Sequence, residues 1–208
     1  MGRAGRGVRI GAWVAGVGGL AVALGAILVV LTAYGAVSVN SSAMEPTYAA
    51  GDPVFVERID GSEVRRGDVV LYRTAERYEG MAVLQRVIGV GGDRVSQSRS
   101  PGAPVTVNGE PLVEPYTKDG ELSGLGRSYD VVVPAGRLFL LGDDRGNSYD
   151  SRFFLEEQAG SVDARAVEGR VLDSRAGLLG WAGAALLGLF VGIAGITVGL
   201  VARARRGV

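Results

Sequence analysis

The sequence predicts an all-β domain that is anchored in a membrane by a helix at each end. No charged residue lies between Ile10 and Met44 or between Ala176 and Ala202, and each stretch is long enough to cross a hydrocarbon core of about 30 Å as a helix. Between them, short valine- and leucine-rich runs alternate with Gly, Pro, Asp and Asn, which is typical of strands and turns. We therefore divide the chain into a basic tail (1–9), a transmembrane helix (10–34), the domain (35–175), a second transmembrane helix (176–202) and a second basic tail (203–208).

Basic residues predict the orientation of the two spans. Arginines flank them on their outer sides, at Arg3, Arg6 and Arg9 and at Arg203, Arg205 and Arg206. Basic segments next to a span stay preferentially in the cytoplasm, and Arg175 alone does not reverse the bias. We expect a two-pass protein of the plasma membrane with both termini in the cytoplasm and the domain on the extracytoplasmic face.

The first apolar stretch has a second interpretation, as a cleaved signal peptide. Ala33-Tyr34-Gly35 has the small residues of a cleavage site. The apolar run from Ile10 to Ala33 is nevertheless longer than the ~7–15 residues of an ordinary signal-peptide core, which favours a retained anchor.

Small residues recur at intervals of four in both spans, where they permit close packing of helices. They are Gly11, Ala15 and Gly19 in the first span, and the pairs Gly188 and Gly192 and Gly195 and Gly199 in the second. Glycine is also common in apolar helices generally, so both interpretations stay open.

Six runs in the domain are predicted strands: Pro53–Arg58, Asp68–Arg73, Ala82–Val90, Val105–Val107, Asp130–Val133 and Leu138–Leu141. Asn108-Gly109 predicts a hairpin turn, because a type I′ turn needs positive φ at both central residues. Arg99–Pro104 and Lys118–Arg127 are predicted loops, and no stretch of the domain shows sustained helical periodicity. We place the all-β fold at about Val37 to Leu172.

Composition excludes several kinds of chemistry. The 22 basic and 22 acidic residues cancel, so bulk charge gives no indication of nucleic-acid binding. Cysteine and histidine are absent, which removes disulfides, thiol nucleophiles, histidine-dependent triads and the commonest metal ligands. We expect no metal and no cofactor.

Four motifs follow one another after the first span. They are Ser41-Ser42-Ala43-Met44-Glu45-Pro46-Thr47, Arg66-Gly67-Asp68-Val69-Val70-Leu71-Tyr72, Arg86-Val87-Ile88-Gly89-Val90-Gly91-Gly92-Asp93, and Gly142-Asp143-Asp144-Arg145-Gly146-Asn147-Ser148-Tyr149-Asp150-Ser151-Arg152. In order, they resemble the S-x-S-M-x-P-T, R-G-D-I-V-V-F, R-V-I-G-L-P-G-D and G-D-N-R-x-N-S-x-D-S-R motifs of the bacterial type I signal peptidases. Gly91 replaces a proline and Asp144 replaces an asparagine.

This resemblance implies a signal peptidase I-type fold and a Ser-Lys serine endopeptidase that removes signal peptides from exported preproteins. The nucleophile belongs at position 43 and the lysine base at position 85. The resemblance assigns Ser41 and the backbone N–H of residue 43 to the oxyanion hole, and Ser148 to orienting the base. It gives a supporting role to the ion pair of Asp150 and Arg152 and to Asp143 and Arg145, with Met44, Pro46, Thr47 and Arg86 as further motif residues.

Both catalytic positions are substituted. Ala43 has no oxygen to attack with, and the amide of Gln85 cannot take up a proton at neutral pH. The chain's only lysine, Lys118, lies in a polar loop, without the desolvation that a lysine base requires. An engineered serine-to-alanine change would leave Gln85 unexplained, whereas natural loss of both groups has one cause. A third alternative makes Ser42 the nucleophile, which would need a local bulge and another base.

Three functions remain in competition. The first is cleavage of signal peptides, which would lie extended along a strand edge with two small side chains in shallow pockets. The second is a pseudoprotease that binds signal peptides or a partner, such as the secretion translocon or an active paralogue, without cleaving. The third is a structural membrane protein with no affinity for signal peptides. In each case the lipid bilayer is a partner and nucleic acid is not.

Overall fold

The computed structural model describes residues 3–120 and 128–204, with side chains described from residue 6 onward except at position 119. Most of the predicted loop Lys118–Arg127 and the tail residues Arg205 and Arg206 lie outside the described residues, as does the side chain of Arg3. The chain forms two compact units, one made of Met1–Tyr34 with Asp173–Val208 and the other of Gly35–Leu172.

Two long helices make up the first unit. Helix α1 covers Arg3–Ala33 and helix α2 covers Ala176–Ala204. By length and composition, Arg6–Ala33 and Ala176–Ala204 are candidate membrane spans, with mean hydropathies of 2.6 and 2.4. Helix α1 begins in the predicted basic tail rather than at Ile10, because no proline separates the arginines from the apolar run and the glycines there only weaken a helix.

The two helices pack through glycine. A Cβ atom on Gly19 would lie 2.5 Å from the backbone nitrogen of Gly192, and one on Gly195 would lie 2.5 Å from that of Gly16. Gly188 likewise faces the backbone of Gly19. Contacts that run in opposite directions along the two chains make the pair antiparallel, and only glycine permits this approach.

Of the two interpretations of the small residues, close packing therefore holds for those of α2 and only in part for those of α1. Gly188, Gly192, Gly195 and Gly199 are buried. In α1, Gly19 is buried together with Gly16, Ala23 and Ala26, whereas Gly11 and Ala15 are exposed.

In the part of the chain that the structure describes, eleven strands form two sheets. They are β1 Tyr34–Ser38, β2 Pro53–Glu57, β3 Val69–Tyr72, β4 Val83–Val90, β5 Arg94–Gln97, β6 Thr106–Val107, β7 Glu110–Pro111, β8 Tyr129–Val132, β9 Arg137–Leu141, β10 Val162–Asp163 and β11 Val167–Val171. The first sheet has the order β1-β2-β11-β3-β4-β9-β10 and the second β7-β6-β5-β8. The strand pairs from β2 to β10, and those of the second sheet, are antiparallel.

All six predicted strands are present, and no end is shifted by more than one residue. Within the described part of the second unit, the helical segments are short 3₁₀ turns, which agrees with an all-β domain. The hairpin is also confirmed, because Val107 pairs with Glu110 and the two residues between them, Asn108 and Gly109, have φ values of 54° and 87°.

Strand β11 was not predicted, although it lies between β2 and β3 near the middle of the sheet. Its inward positions are Val167, Gly169 and Val171, so a glycine interrupts the apolar alternation. A Cβ atom at Gly169 would lie 2.7 Å from the carbonyl oxygen of Glu57. The close approach of the Glu57 backbone therefore requires glycine at position 169. The same glycine interrupts the alternation of apolar residues from which a strand is predicted.

Candidate active site

The Ser41–Thr47 motif forms a pair of turns between β1 and β2. The backbone N–H of Glu45 donates to the carbonyl of Ser42, and that of Tyr48 donates to the carbonyl of Met44. Met44 is 1% exposed and packs with Val39 and other apolar residues of the core. The buried methionine fixes the motif and leaves the neighbouring Ala43 half-buried at the surface.

Hydrogen bonds join this motif to the last one. The carbonyl oxygen of Ala43 accepts from the backbone N–H of Asp144 at 3.0 Å. The Asn147 amide donates to the Ser42 hydroxyl oxygen at 2.7 Å. The Thr47 hydroxyl donates to Asp143 Oδ2 at 2.5 Å. Two segments that are about 100 residues apart in sequence therefore form one surface.

Gly142 brings Ser148 to the same place. A Cβ atom on Gly142 would lie 2.3 Å from Ser148 Oγ and 2.6 Å from the carbonyl oxygen of Ala43. The two oxygens are therefore no farther apart than the sum of these distances. Ser148 is 2% exposed, and within the described part of the chain its hydroxyl has no hydrogen-bond partner. A buried hydroxyl without a partner is unfavourable, which marks this point in the site as incomplete.

Gln85 is 1% exposed and lies in the middle of β4. Its Oε1 accepts from the Tyr72 hydroxyl at 2.7 Å, and its Nε2 donates to the carbonyl of Tyr149 at 3.0 Å. Nε2 also reaches the Tyr78 hydroxyl at 3.4 Å, and that hydroxyl donates to the Tyr149 carbonyl at 2.8 Å. We call Tyr72, Tyr78 and Tyr149 the tyrosine cluster. Both ends of the amide are bonded within it.

The tyrosine cluster supplies no base of its own. Burial raises the pKa of Tyr72 well above its ordinary value, and burial also raises the pKa of Tyr78. Both phenols therefore stay protonated at neutral pH. They act as donors and acceptors of hydrogen bonds and cannot take a proton from a nucleophile.

Asp143 connects three motifs from a fully buried position. Arg86 donates to its two carboxylate oxygens from Nε at 2.8 Å and from Nη2 at 2.6 Å. Burial by itself would lower the Arg86 pKa, but the bonds and charge of Asp143 outweigh it and the pKa is raised. The guanidinium also lies 3.9 Å from the ring centre of Tyr116. This bidentate pair fixes the strand next to position 85.

A second buried pair lies beside Gly142. Arg152 contacts both carboxylate oxygens of Asp150 at 2.8 Å, and Asp150 in turn accepts from the backbone N–H of Gly142 at 3.2 Å. Arg145 donates to the carbonyl of Gly142 at 2.9 Å and pairs with Glu114. The ion pair that the resemblance implied between Asp150 and Arg152 is therefore present.

Lys118 lies closer to the site than its sequence position indicated. Its Nζ donates to Glu45 Oε2 at 2.9 Å and to Asp144 Oδ2 at 2.8 Å. These hydrogen bonds, first to Asp144 and then to Glu45, raise its pKa above the ordinary value. A lysine held charged in this way cannot serve as a general base.

Sequence reasoning missed the partners of Gln85 and of Arg145. Tyr72 lies in a motif that was identified, but a strand pattern does not show which hydroxyl meets which amide. Glu114 lies in a loop outside all four motifs, and no signal in the sequence pointed to it. In the described residues, 3–120 and 128–204, no group of three acidic, histidine or cysteine residues could hold a metal ion.

Comparison with known proteins gives one family. Residues 11–173 match the family model described as signal peptidase, peptidase S26. Signal peptidase I of Bacillus caldolyticus is 31% identical over 144 residues, which cover 61% of this chain and 76% of that protein. Signal peptidase I of Leptolyngbya laminosa is 33% identical over 137 residues, covering 62% and 64%.

Two further proteins match a smaller share of this chain. The probable signal peptidase I of Mycobacterium leprae is 31% identical over 159 residues, covering 55% of this chain and 54% of that protein. Among solved structures, a signal peptidase I from Enterococcus faecalis V583 is 28% identical with a TM-score of 0.41, covering 53% of this chain and 97% of that chain.

Proposed function

The chain belongs to the signal peptidase family, peptidase S26, and from this membership we propose that it binds the signal peptides of exported preproteins without cleaving them. The peptide lies extended against the surface formed by the first and last motifs. Its small side chains enter shallow apolar pockets beside Ala43, as the family's specificity for small-x-small sites implies. The chain is then a pseudoprotease that binds signal peptides and no longer cleaves them.

The observation that carries this proposal is the unpartnered hydroxyl of Ser148. It is buried beside the carbonyl of Ala43, and the family resemblance assigns it to orienting the lysine base. The side-chain amide of Gln85 is instead hydrogen-bonded to the Tyr72 hydroxyl and the Tyr149 carbonyl. Serine chemistry needs a nucleophilic oxygen and a base that removes its proton, and neither position 43 nor position 85 offers one.

Neither Lys118 nor the phenols of Tyr72 and Tyr78 replace the missing base. Lys118 is protonated and bound to two carboxylates, and the tyrosine phenols stay protonated. Ser42, the alternative nucleophile, accepts a hydrogen bond from Asn147, and an amide donor does not deprotonate a hydroxyl. Background hydrolysis by an unassisted water is therefore the only expected reaction.

Support for retained binding comes from the interlocked motifs. Three hydrogen bonds hold Ser42, Ala43 and Thr47 to the last motif. The backbone N–H of residue 43 and the exposed Ser41 are still available to a peptide carbonyl. Such donors bind a ground-state carbonyl even where no covalent step follows.

We also propose that the two helices anchor the chain in the plasma membrane. Their apolar faces and the flanking Arg6, Arg9 and Arg203 favour a two-pass arrangement with both termini in the cytoplasm. The β domain would then lie on the extracytoplasmic face, where signal peptides emerge. An active paralogue would supply cleavage, and the secretion translocon is a further candidate partner.

The test uses the full chain in nanodiscs with a fluorescent preprotein that carries an Ala-x-Ala site. We expect measurable binding and cleavage indistinguishable from a protein-free control. The matched control is the same preprotein with bulky residues at both small positions, which should bind more weakly. Cleavage of the first preprotein would refute the pseudoprotease. Equal or absent binding of both would favour a structural membrane protein.

A further inference from the structure

Tyr72 departs from the family motif at one atom, and that atom contacts position 85. The family's R-G-D-I-V-V-F strand ends in phenylalanine, and this chain has Tyr72 there. Its side chain is 1% exposed, and its hydroxyl donates to Gln85 Oε1 at 2.7 Å. The single oxygen that distinguishes tyrosine from phenylalanine is thus bonded to the residue that replaces the lysine.

Strand register explains the contact. Val70 on β3 pairs with Gln85 on β4, and Tyr72 pairs with Val83. Tyr72 and Gln85 are therefore diagonal neighbours on one face of the sheet, a separation that an aromatic and a long side chain can bridge. The contact follows from the two strands themselves and needs no loop to adjust.

Each of the two residues needs the other. Without the Tyr72 hydroxyl, the buried Oε1 of Gln85 would lose its 2.7 Å donor, and a buried polar atom left unpaired is costly. Without an acceptor at position 85, the Tyr72 hydroxyl would keep only the weaker 3.3 Å contact with Tyr78. Phenylalanine with glutamine would leave Oε1 unpaired, and tyrosine with an apolar residue would leave the hydroxyl with its weaker contact alone.

We infer that Tyr72 is a positioning residue that holds side chain 85 in the tyrosine cluster, and that Tyr72 and Gln85 replaced the family's phenylalanine and lysine as a unit. This inference rests on the proposed function, because it explains how the base position became inert. It also bears on the origin of Ala43. One engineered change at position 43 would not explain the substitutions at positions 72 and 85, which lie on two neighbouring strands.

A consequence is that lysine restored at position 85 would remain charged. An ammonium group donates three hydrogen bonds, and it would meet three acceptors in the hydroxyls of Tyr72 and Tyr78 and the carbonyl of Tyr149. The charge of Asp150 acts on both tyrosines, and that of Arg77 opposes it. Burial lowers the pKa of a lysine, and hydrogen bonds to the charged ammonium offset part of that lowering. Removal of the Tyr72 hydroxyl would therefore lower the pKa and favour the neutral amine.

The sequence makes this measurable, because Lys118 is the only lysine. In a Lys118→Arg background, Gln85→Lys introduces the sole lysine side chain, and its pKa can be read by NMR from the shifts of its ¹³Cε and ¹⁵Nζ atoms after selective isotope labelling of lysine. We expect Tyr72→Phe to lower that pKa by about one pH unit or more. Tyr116→Phe is the matched control, since the Tyr116 hydroxyl bonds Glu114, and it should leave the pKa unchanged. An unchanged pKa in Tyr72→Phe would overturn the inference.

A second measurement avoids burying a new charge. The chain contains three glutamines, Gln85, Gln97 and Gln158, so selective ¹⁵N-glutamine labelling gives three side-chain amide pairs. We expect Tyr72→Phe to speed hydrogen exchange of the Gln85 amide at least tenfold and to leave the other two unchanged. No change in Gln85 exchange, or equal acceleration of all three, would contradict a specific role of Tyr72.

These outcomes are separable from the proposed function. Neither measurement involves a peptide, so each tests the Tyr72–Gln85 pair whether or not the chain binds signal peptides. Cleavage by the chain as written would refute the pseudoprotease and leave the NMR result intact. A failed NMR test would remove the positioning role of Tyr72 and leave the missing nucleophile unaffected.

Discussion

The backbone N–H of Asp144 donates to the carbonyl oxygen of Ala43 at 3.0 Å. This bond uses the main chain of both residues, so it does not depend on what side chain position 43 carries. On the proposed assignment of the nucleophile to position 43, an alanine there lacks the attacking oxygen and keeps the contact that shapes the surface. The first prediction follows from that assignment.

Restoration of activity should require three changes. Ala43→Ser alone should stay at background, because the amide of Gln85 cannot take the proton of the new hydroxyl. Adding Gln85→Lys should give little more, since the tyrosine cluster keeps the amine charged. Adding Tyr72→Phe as well should raise preprotein processing, because a positioned base contributes about 10²–10⁴-fold. The assay is preprotein cleavage by alanine or serine at 43 crossed with glutamine or lysine at 85, each with and without Tyr72→Phe.

Other outcomes of that assay have defined meanings. Robust cleavage by the chain as written would point to Ser42 or Ser41 as the nucleophile. Cleavage by Ala43→Ser with Gln85 in place would mean that this branch uses a different base and that Ala43 is the engineered change.

Asp143→Ala should destabilise the domain strongly. It leaves the partly buried Arg86 without its carboxylate and removes the acceptor of Thr47. Breaking a buried pair from one side costs about 3–5 kcal/mol of the free energy of unfolding. Urea unfolding followed by circular dichroism measures the loss. The control is Asp130→Ala, whose partner Arg94 is exposed, and it should change stability little. Similar losses in both variants would contradict the role of burial.

Acid should weaken the domain partly through Asp93. Burial acts to raise the pKa of this carboxyl, but the Val90 N–H, the Asn108 amide and Arg66 together lower it below the ordinary 3.8. A lowered folded-state pKa stabilises the fold above the unfolded value, and this contribution is lost as pH falls through the folded pKa. Urea midpoints of the unmodified chain should therefore fall more steeply below about pH 4 than those of Asp93→Asn.

Glu110→Gln, on the neighbouring hairpin, provides the comparison for that experiment. It should keep the steep acid dependence of the unmodified chain. An identical pH profile for Asp93→Asn would show that the contacts of Asp93 contribute nothing to acid sensitivity.

Gly188→Val should disrupt the helix pair. Its Cβ would lie 2.7 Å from the carbonyl of Gly19 and 2.8 Å from the nitrogen of Ala23, and backbone atoms within a helix cannot move aside cheaply. We expect a lower thermal midpoint for the helical signal in detergent. Gly183→Val is matched in chemistry but meets nothing within 4 Å, so its midpoint should be close to that of the unmodified chain.

Topology is testable with protease on intact cells or protoplasts. External protease should digest Val37–Leu172 and spare epitope tags placed on both tails, because the flanking arginines favour the cytoplasm. Digestion of the tags in unbroken cells would refute this orientation.

Much of the fold could be predicted from the sequence because its signals are local. Asn108-Gly109 needs only its own backbone to form a turn, and the strands around Val70 and Leu140 are short apolar runs. The four motifs also identified the residues that meet at Ala43. What could not be predicted depends on contacts between distant segments. Which hydroxyl meets Gln85 is decided by the register of β3 on β4, and which carboxylate meets Arg145 by a loop with no pattern.

Lys118 has a practical consequence for anyone who studies this chain. It is the only lysine, and it bridges the first motif at Glu45 and the last at Asp144. An amine-directed label would therefore enter at a single side chain, next to the candidate active site. Because both carboxylates hold the amine in its unreactive protonated form, labelling should be slow while the bridge is closed. The rate of modification then serves as a built-in reporter of whether a bound peptide opens the surface or secures it.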